Sequence, residues 1–360
     1  MLTPFARKLG LKVPIFQAPM AGATVPELVL AVGRAGALGG FGFAYTEPAA
    51  MKEAVEKVRQ AAAVPIHINF FVERPAPAVS REALAEAVQR VRPFYEALKL
   101  PVPETLPPPY CPNLSAQIEM ALSLKPALLS FQFHPFQPEV FREAKARGIP
   151  VGGAATTLEE AETIDALGAD FIIAQGAEAG GHRATFADMR EPGLVGTLAL
   201  TRLIVKRCRA PVVAAGGIMD GAGIAAVLAL GAQAAQMGTA FLATPESGAP
   251  AEHKRALKSL ASTGTTVTRQ YSGRWARGIR NRFIDEMEAH PGPLLQFPAQ
   301  HKLTAPLRAE SNKQGSPDFV ALWAGQAYPL ANEAPVAELI AGWMAEANDI
   351  VKRLASQMDQ

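Results

Sequence analysis

The chain has 360 residues, 49% of them apolar and 19% charged, which is the composition of a folded, core-forming protein and not of a disordered one. A net charge of +2 excludes bulk attraction to nucleic acid or to a membrane surface, while leaving room for a local basic pocket that takes a small anion. Two cysteines, Cys111 and Cys208, are too few for a disulfide framework or a Cys-rich metal site, and neither a secretory signal nor an apolar run of the roughly 20 residues of a membrane span is visible, so the expectation is a cytoplasmic protein.

Short apolar runs alternate with helical patterns along the chain. Residues 13–18 form the first run, followed by a helical pattern over 27–35. The pairs continue as 37–41 with 48–62, then 65–70, then 127–133 with 138–147, and 150–154 with 158–167. The last are 170–175 with 195–207, 211–215 with 222–230, and 234–237. Short Gly- or Pro-containing turns announce several of the strands, among them Val64-Pro65, Gly148-Ile149-Pro150 and Ala210-Pro211. This is the rhythm of βαβ units, and the continuously apolar runs suit strands covered on both faces. About eight such units favour a closed α/β barrel, (β/α)8, over its rival, an open doubly wound sheet.

Two stretches break the rhythm. Residues 74–113 are Pro-rich with one helical piece over 81–98, and residues 250–316 carry clustered charge, including Arg274, Arg277, Arg280 and Arg282. Both leave from the C-terminal side of a strand, the catalytic face of such a barrel. The expected organisation is therefore a barrel of residues 1–73, 114–249 and 317–360, with 74–113 and 250–316 inserted as a smaller substrate or cap domain. A helix over 336–358 would close the barrel exterior. The arginine cluster reads as a solvated, ion-paired face.

The candidate chemistry lies at strand ends. Ala214-Ala215-Gly216-Gly217-Ile218 follows the seventh run, and Gln236-Met237-Gly238-Thr239 follows the eighth. In a barrel these two loops are neighbours, and their glycines let backbone N–H groups approach a phosphate while Thr239 adds a hydroxyl. The phosphate could belong to a flavin, a sugar or another substrate. Gly176-Ala177-Glu178-Ala179-Gly180-Gly181-His182-Arg183 follows the sixth run and places His182 at the barrel mouth. The first run continues as Gln17-Ala18-Pro19-Met20-Ala21-Gly22.

These segments, with the late Leu322-Trp323-Ala324-Gly325-Gln326, occur in the same order as in the nitronate monooxygenase (2-nitropropane dioxygenase) family, which the chain resembles over nearly its whole length. The resemblance implies an FMN across the mouth of a TIM barrel. Ala18, Pro19, Met20 and Gly22 would run beside the isoalloxazine, Asn69 and Gln175 would hydrogen-bond it or its ribityl chain, and Gly180 and Gly181 would pass close by. Gly216, Gly217, Gln236, Met237, Gly238 and Thr239 would form the phosphate end, and Gln326 would add a contact. His182 would be the catalytic imidazole, with His134 as a second imidazole facing the flavin; Tyr110 and Lys313 are weaker candidates for meeting an anion. Phe297 stands where the family leads one to expect a tyrosine.

The implied reaction is oxidative denitrification of a small anionic nitronate, such as propionate 3-nitronate, with O2 to a carbonyl compound and nitrite. The implied protein is a monomer or homodimer that uses no catalytic metal. Two alternatives stay open: an NAD(P)H:quinone or enoyl-thioester reductase of the same fold, and a flavin-free phosphate-binding isomerase or aldolase.

Overall fold

A computed structural model describes residues 1–73, 78–187, 190–258 and 264–358; residues 74–77, where the first insertion was expected to begin, lie outside them. The strands are β1 (Ile15–Gln17), β2 (Gly39–Gly42), β3 (Ile66–Val72), β4 (Leu128–Phe133), β5 (Val151–Ala155), β6 (Phe171–Gln175), β7 (Gly181–His182), β8 (Val212–Ala215), β9 (Ala234–Met237), β10 (Thr265–Thr268) and β11 (Ala276–Ile279). Eight of them form one parallel sheet in the order β1-β9-β8-β6-β5-β4-β3-β2. A bridge between Phe16 and Leu38 brings β1 back to β2, with Gln17 N–H donating to the Leu38 carbonyl at 2.8 Å. The result is a (β/α)8 barrel, as the alternation of runs and helical patterns predicts.

The barrel interior is filled by side chains and is not a pore. Phe16, Leu38, Leu128, Phe171, Ile173 and Val213 pack with Phe5, which the N-terminal helix Pro4–Lys8 inserts among them. That helix was not expected from the sequence, because five residues are too short to show a helical period. Outside the strands, Val29, Val55, Ile164 and Leu200 of the surrounding helices close one long cluster, and the helix Val336–Met358 closes another through Val336, Ile340 and Trp343. No helix among the described residues is long and apolar enough to cross a membrane.

A second, smaller core sits above the C-terminal ends of the strands. Leu84, Val91, Phe94 and Tyr95 of helix Arg81–Ala97 pack against Tyr271, Phe283, Met287, Leu303 and Phe319. The Tyr95 hydroxyl donates to the Leu303 carbonyl at 2.6 Å, tying the two inserted stretches together. Beside this core, β10, β11 and β7 form a three-stranded antiparallel sheet, in which Ala276 of β11 faces His182 of β7. One strand of the cap sheet thus comes from the loop that follows β6.

Candidate active site

Buried polar side chains hold several of the loops at the barrel mouth. Gln17 is fully buried at the end of β1. Its Oε1 accepts from Gly40 N–H at 2.9 Å, while its Nε2 donates to Thr24 Oγ1 at 3.1 Å and to the Ala18 carbonyl. Thr24 Oγ1 also accepts from Met20 N–H at 3.1 Å, which fixes the segment Ala18–Gly22 as a rim. On β3 and β4, Ser130 Oγ accepts from Asn69 Nδ2 at 2.7 Å and meets His67 Nε2 at 2.7 Å. The serine thus ties both side chains of β3 to β4; burial pushes the His67 imidazole down to about 3, so it is neutral.

The His182 loop is anchored more heavily. Gln175 Nε2 donates to the His182 carbonyl at 3.0 Å and its Oε1 accepts from Ala184 N–H at 2.8 Å. Arg183, fully buried, donates to the carbonyls of Gln175, Gly176, Pro192 and Gly193 at 2.9, 2.7, 3.1 and 2.8 Å. Its charge serves the backbone and not a ligand. Glu160, also fully buried, accepts from the N–H and hydroxyl of Thr156, the hydroxyl of Thr185, and the N–H groups of Phe186 and Ala187.

His182 itself stands in an aromatic box. Ring centroids of Phe71, Phe133, Phe297 and Trp323 lie 5.2, 6.0, 5.9 and 5.6 Å from its own. Its Nε2 meets Ser272 Oγ at 2.9 Å, and among the described residues Nδ1 has no partner. Burial, reinforced by the charges of Arg274 and Arg308, lowers the imidazole to about 3, so His182 is an uncharged base at neutral pH.

Beside it opens a cavity of about 590 Å³. One wall is the barrel: Ala18–Gly22, Asn69, Gln175, Gly180, Gly181, Gly216, Gly217, Gln236, Gly238 and Thr239. The opposite wall includes Tyr45 of the loop after β2, His301 and Arg308 of helix Ala299–Lys313, and Trp323. The barrel wall fits a flavin phosphate and ring on three observations. Gln236 Oε1 is buried without a partner, so a donor on the ligand would satisfy it. Gly181 has φ +75° and open space where a Cβ would project, leaving room for a flat ring. Thr239 Oγ1 accepts from Gly325 N–H at 3.0 Å, which leaves its hydrogen to donate to an anion.

All but three of the site residues expected from the sequence line this cavity. His134 does not. Phe133 has φ +73°, and the chain beyond it carries His134 away from the cavity toward Glu73, with Nε2 3.7 Å from its Oε1; Gln132 is the residue of this segment that lines the cavity. Met237 is buried in the apolar cluster behind β9 and serves the site only through its carbonyl, which accepts from Ala18 N–H at 2.8 Å. Gln326 lines a neighbouring groove with Glu178, Gly216 and Gly217. Tyr110 and Lys313 also lie outside the cavity: the Tyr110 hydroxyl accepts from Val79 N–H at 3.1 Å, and Lys313 is exposed and paired with Glu310.

The arginine cluster divides. Arg280 and Arg282 form the expected exposed ion pairs with Asp285, Glu288 and Glu286. Arg274 and Arg277 are buried, which corrects the reading of a solvated face. Arg274 pairs with Glu73 at 2.7 Å and lies 3.6 Å over the Phe133 ring, and Arg277 donates to the Ala177 carbonyl at 2.8 Å. Residues the sequence did not single out at all are Tyr45, Ser272, His301 and Arg308. Each is an isolated polar residue in a stretch without motif; Tyr45 comes from the loop after β2, and the other three come from residues 250–316.

The sequence profile of the nitronate monooxygenase family matches residues 3–346. A nitronate monooxygenase of Paraburkholderia phytofirmans is 41% identical over 352 residues, covering 96% of this chain and 95% of that protein. One from Pseudomonas aeruginosa is 41% identical over 343 residues, covering 94% and 97%. Among solved structures, the nitroalkane oxidase from Streptomyces ansochromogenes superposes with a TM-score of 0.87 at 36% identity, covering 96% of this chain and 99% of that one.

Proposed function

Since the chain belongs to the nitronate monooxygenase family, a family of flavin-dependent oxidoreductases, we propose that it binds FMN and oxidises small alkyl nitronates with O2 to a carbonyl compound and nitrite. The observation that carries this reading is an uncharged imidazole facing a cavity whose other wall is a glycine-lined cradle. The bound flavin would accept electrons from the substrate and pass them to oxygen. Gln236, Gly216, Gly217, Gly238 and Thr239 would hold it.

The remaining chemistry belongs to the chain. With Nε2 turned to Ser272, His182 presents Nδ1 to the cavity, where it can take the α-proton of a neutral nitroalkane. The resulting imidazolium would then stand beside the nitronate's negative charge. Phe71, Phe133, Phe297 and Trp323 exclude water around it, which strengthens that interaction. Residues 74–113 and 250–316 are proposed to act as the cap that supplies this dry wall, on the support of the apolar core they share.

The test is an anaerobic absorbance spectrum of the holoenzyme mixed with ethyl nitronate, beside a sample mixed with NADPH. A flavin spectrum altered by the nitronate and not by NADPH, with nitrite released on admitting air, is expected. Bleaching by NADPH with no response to the nitronate would replace this function with that of a barrel reductase. In the same assay, His182→Asn should lower kcat/KM for nitroethane by about 100- to 10,000-fold.

A further inference from the structure

Several contacts that place His182 converge on one residue of the second insertion. Arg274 stands in the turn between β10 and β11 and is buried. Its guanidinium donates to Glu73 Oε2 at 2.7 Å, and Glu73 directly follows β3. A second N–H donates to the carbonyl of Thr185, three residues beyond His182, at 2.6 Å. The guanidinium carbon also lies 3.6 Å over the ring of Phe133, the last residue of β4. One side chain thus touches the end of β3, the end of β4 and the His182 loop.

The backbone of Arg274 acts on the same target. Its N–H donates to Ser272 Oγ at 3.3 Å, and its carbonyl accepts from the Ser272 hydroxyl at 3.2 Å. With the hydroxyl hydrogen held there, Ser272 faces His182 Nε2 only as an acceptor, at 2.9 Å. The carbonyl of the next residue, Trp275, accepts from Arg183 N–H at 2.8 Å, and Ala276 pairs with His182 across the cap sheet. Phe133 is one of the four rings around the imidazole, with 6.0 Å between centroids. A hydroxyl and a ring that meet His182 therefore both depend on where Arg274 sits. Arg274 does not itself line the cavity.

A buried ion pair is a weak source of stability, because taking two charges out of water offsets much of their attraction. What it supplies here is geometry: the planar guanidinium fixes direction as well as distance. Burial first, and then the charge of Arg274, also hold the imidazole uncharged.

We infer that Arg274 is a positioning residue for His182: its pair with Glu73 pins the β10–β11 turn to the end of β3, which keeps Ser272 and Phe133 against the imidazole and the imidazole's proton on Nε2. The tautomer stands on this geometry alone. Only the kinetic half of the test rests on the function proposed above.

The experiment is nitrogen NMR of the holoenzyme carrying isotopically labelled histidine, with His182→Asn identifying the signals of His182. The Nδ1 and Nε2 shifts report which nitrogen carries the proton, and the wild type should show the Nε2–H form. Arg274→Met breaks the pair and frees the serine hydroxyl to turn, so it should give a mixture with the Nδ1–H form. Arg274→Lys, which can still pair with Glu73 but lacks the planar fork, should fall between the two. Glu73→Gln leaves Arg274 in place without its counter-ion, should shift the populations in the same direction, and serves if Arg274→Met does not fold. In turnover, Arg274→Met should lower kcat/KM for nitroethane by about 10- to 100-fold. Ethyl nitronate needs no proton removed, and its turnover should fall less. Adding Glu73→Gln to Arg274→Met should cost little more, since the pair is already broken.

A wild-type imidazole protonated on Nδ1 overturns the assignment, and so do nitrogen shifts that stay unchanged in both Arg274→Met and Glu73→Gln. An equal loss on nitroethane and on its nitronate also overturns it, and makes Arg274 a support of the cap alone. If no nitronate is turned over but the tautomer of His182 responds to Arg274, the positioning stands and the proposed reaction falls. If nitroethane is turned over and neither the tautomer nor the ratio of the two substrates responds, the reaction stands and the positioning falls.

Discussion

The two walls of the cavity meet a ligand in different ways. The barrel wall carries backbone brought close by Gly180, Gly181, Gly216, Gly217 and Gly238, with the uncharged side chains of Asn69, Gln132, Gln175, Gln236 and Thr239 beside it. Across from it stand side chains: Arg308 and His301 of helix Ala299–Lys313, Tyr45 of the loop after β2, and behind His182 the hydroxyl of Ser272. A backbone surface is fixed by the strands that carry it and can serve any ligand with the same phosphate and flat ring. A side-chain surface changes with each substitution. The difference suggests that the barrel wall specifies the cofactor, while the cap wall specifies the substrate and tunes the base.

The sharpest way to break that division is to fill the backbone surface. Gly216 has φ +122°, and a Cβ there would come within 2.7 Å of Thr197 Oγ1 and 3.0 Å of Ala179 N. In Gly216→Val both the backbone strain and the clash fall on the cradle, which should weaken flavin binding by about 100-fold or more. Flavin absorbance after gel filtration reads the loss, and far-UV circular dichroism checks that the barrel is intact. A folded variant that keeps its flavin at wild-type affinity would mean that the phosphate does not sit on this loop.

The next test concerns what holds His182 between the two walls. Glu160, fully buried, gathers five donors, three of them from residues 185–187 just beyond the histidine. Glu160→Gln keeps the shape but turns an amide N–H toward donors, which should cost about 3 kcal/mol of stability. Urea unfolding followed by tryptophan fluorescence measures it. A midpoint equal to that of the wild type would show that the loop is held by Arg183 and Gln175 alone.

These two positions also show how far the sequence could be read. Gly216 was legible because a glycine pair directly after an apolar run has few other uses, and the barrel places the last two such loops together. The same holds for Gly180-Gly181-His182, and for the eight strands, whose apolar runs survive in the structure with bounds shifted by a residue or two. Glu160 was not legible: in Leu158-Glu159-Glu160-Ala161 it looks like the exposed face of an amphipathic helix, and only the return of residues 185–187 buries it. Arg308 and His301 were hidden for the same reason, since 126 residues separate Arg308 from His182 and nothing local marks either cap residue. His134 follows the fourth strand directly, and nothing in Phe133-His134-Pro135 marks the positive φ at Phe133 through which the chain turns before it. Local pattern reports strands and the glycines that end them, whereas contacts between the cap and the barrel depend on three-dimensional closure.

The smallest expected effect probes the cap's hold on the base. Ser272 Oγ donates to the Arg274 carbonyl at 3.2 Å and accepts from Arg274 N–H at 3.3 Å. With its hydrogen so used, the serine meets His182 Nε2 as an acceptor at 2.9 Å, so the imidazole carries its proton on Nε2 and leaves Nδ1 bare toward the cavity. Ser272→Ala removes that preference and lets the proton move to Nδ1, where it blocks the base. The loss is one neutral hydrogen bond, so kcat/KM for nitroethane should fall by about 3- to 10-fold. A preformed nitronate needs no proton removed, and its turnover should fall less. The pH profile separates this from general damage. The imidazole is lowered to about 3 by burial, then by Arg274 and Arg308, and Ser272 is not among the causes. Protonation of His182 would cost activity only as pH falls toward that value, so above it the rate on nitroethane stays level until the substrate itself ionises. Ser272→Ala should lower this plateau without moving its acid edge, and Ser272→Thr, which restores the hydroxyl, should recover it. An acid edge that moves, or an equal loss on nitroethane and on its nitronate, would show that the serine supports the loop and does not choose the tautomer.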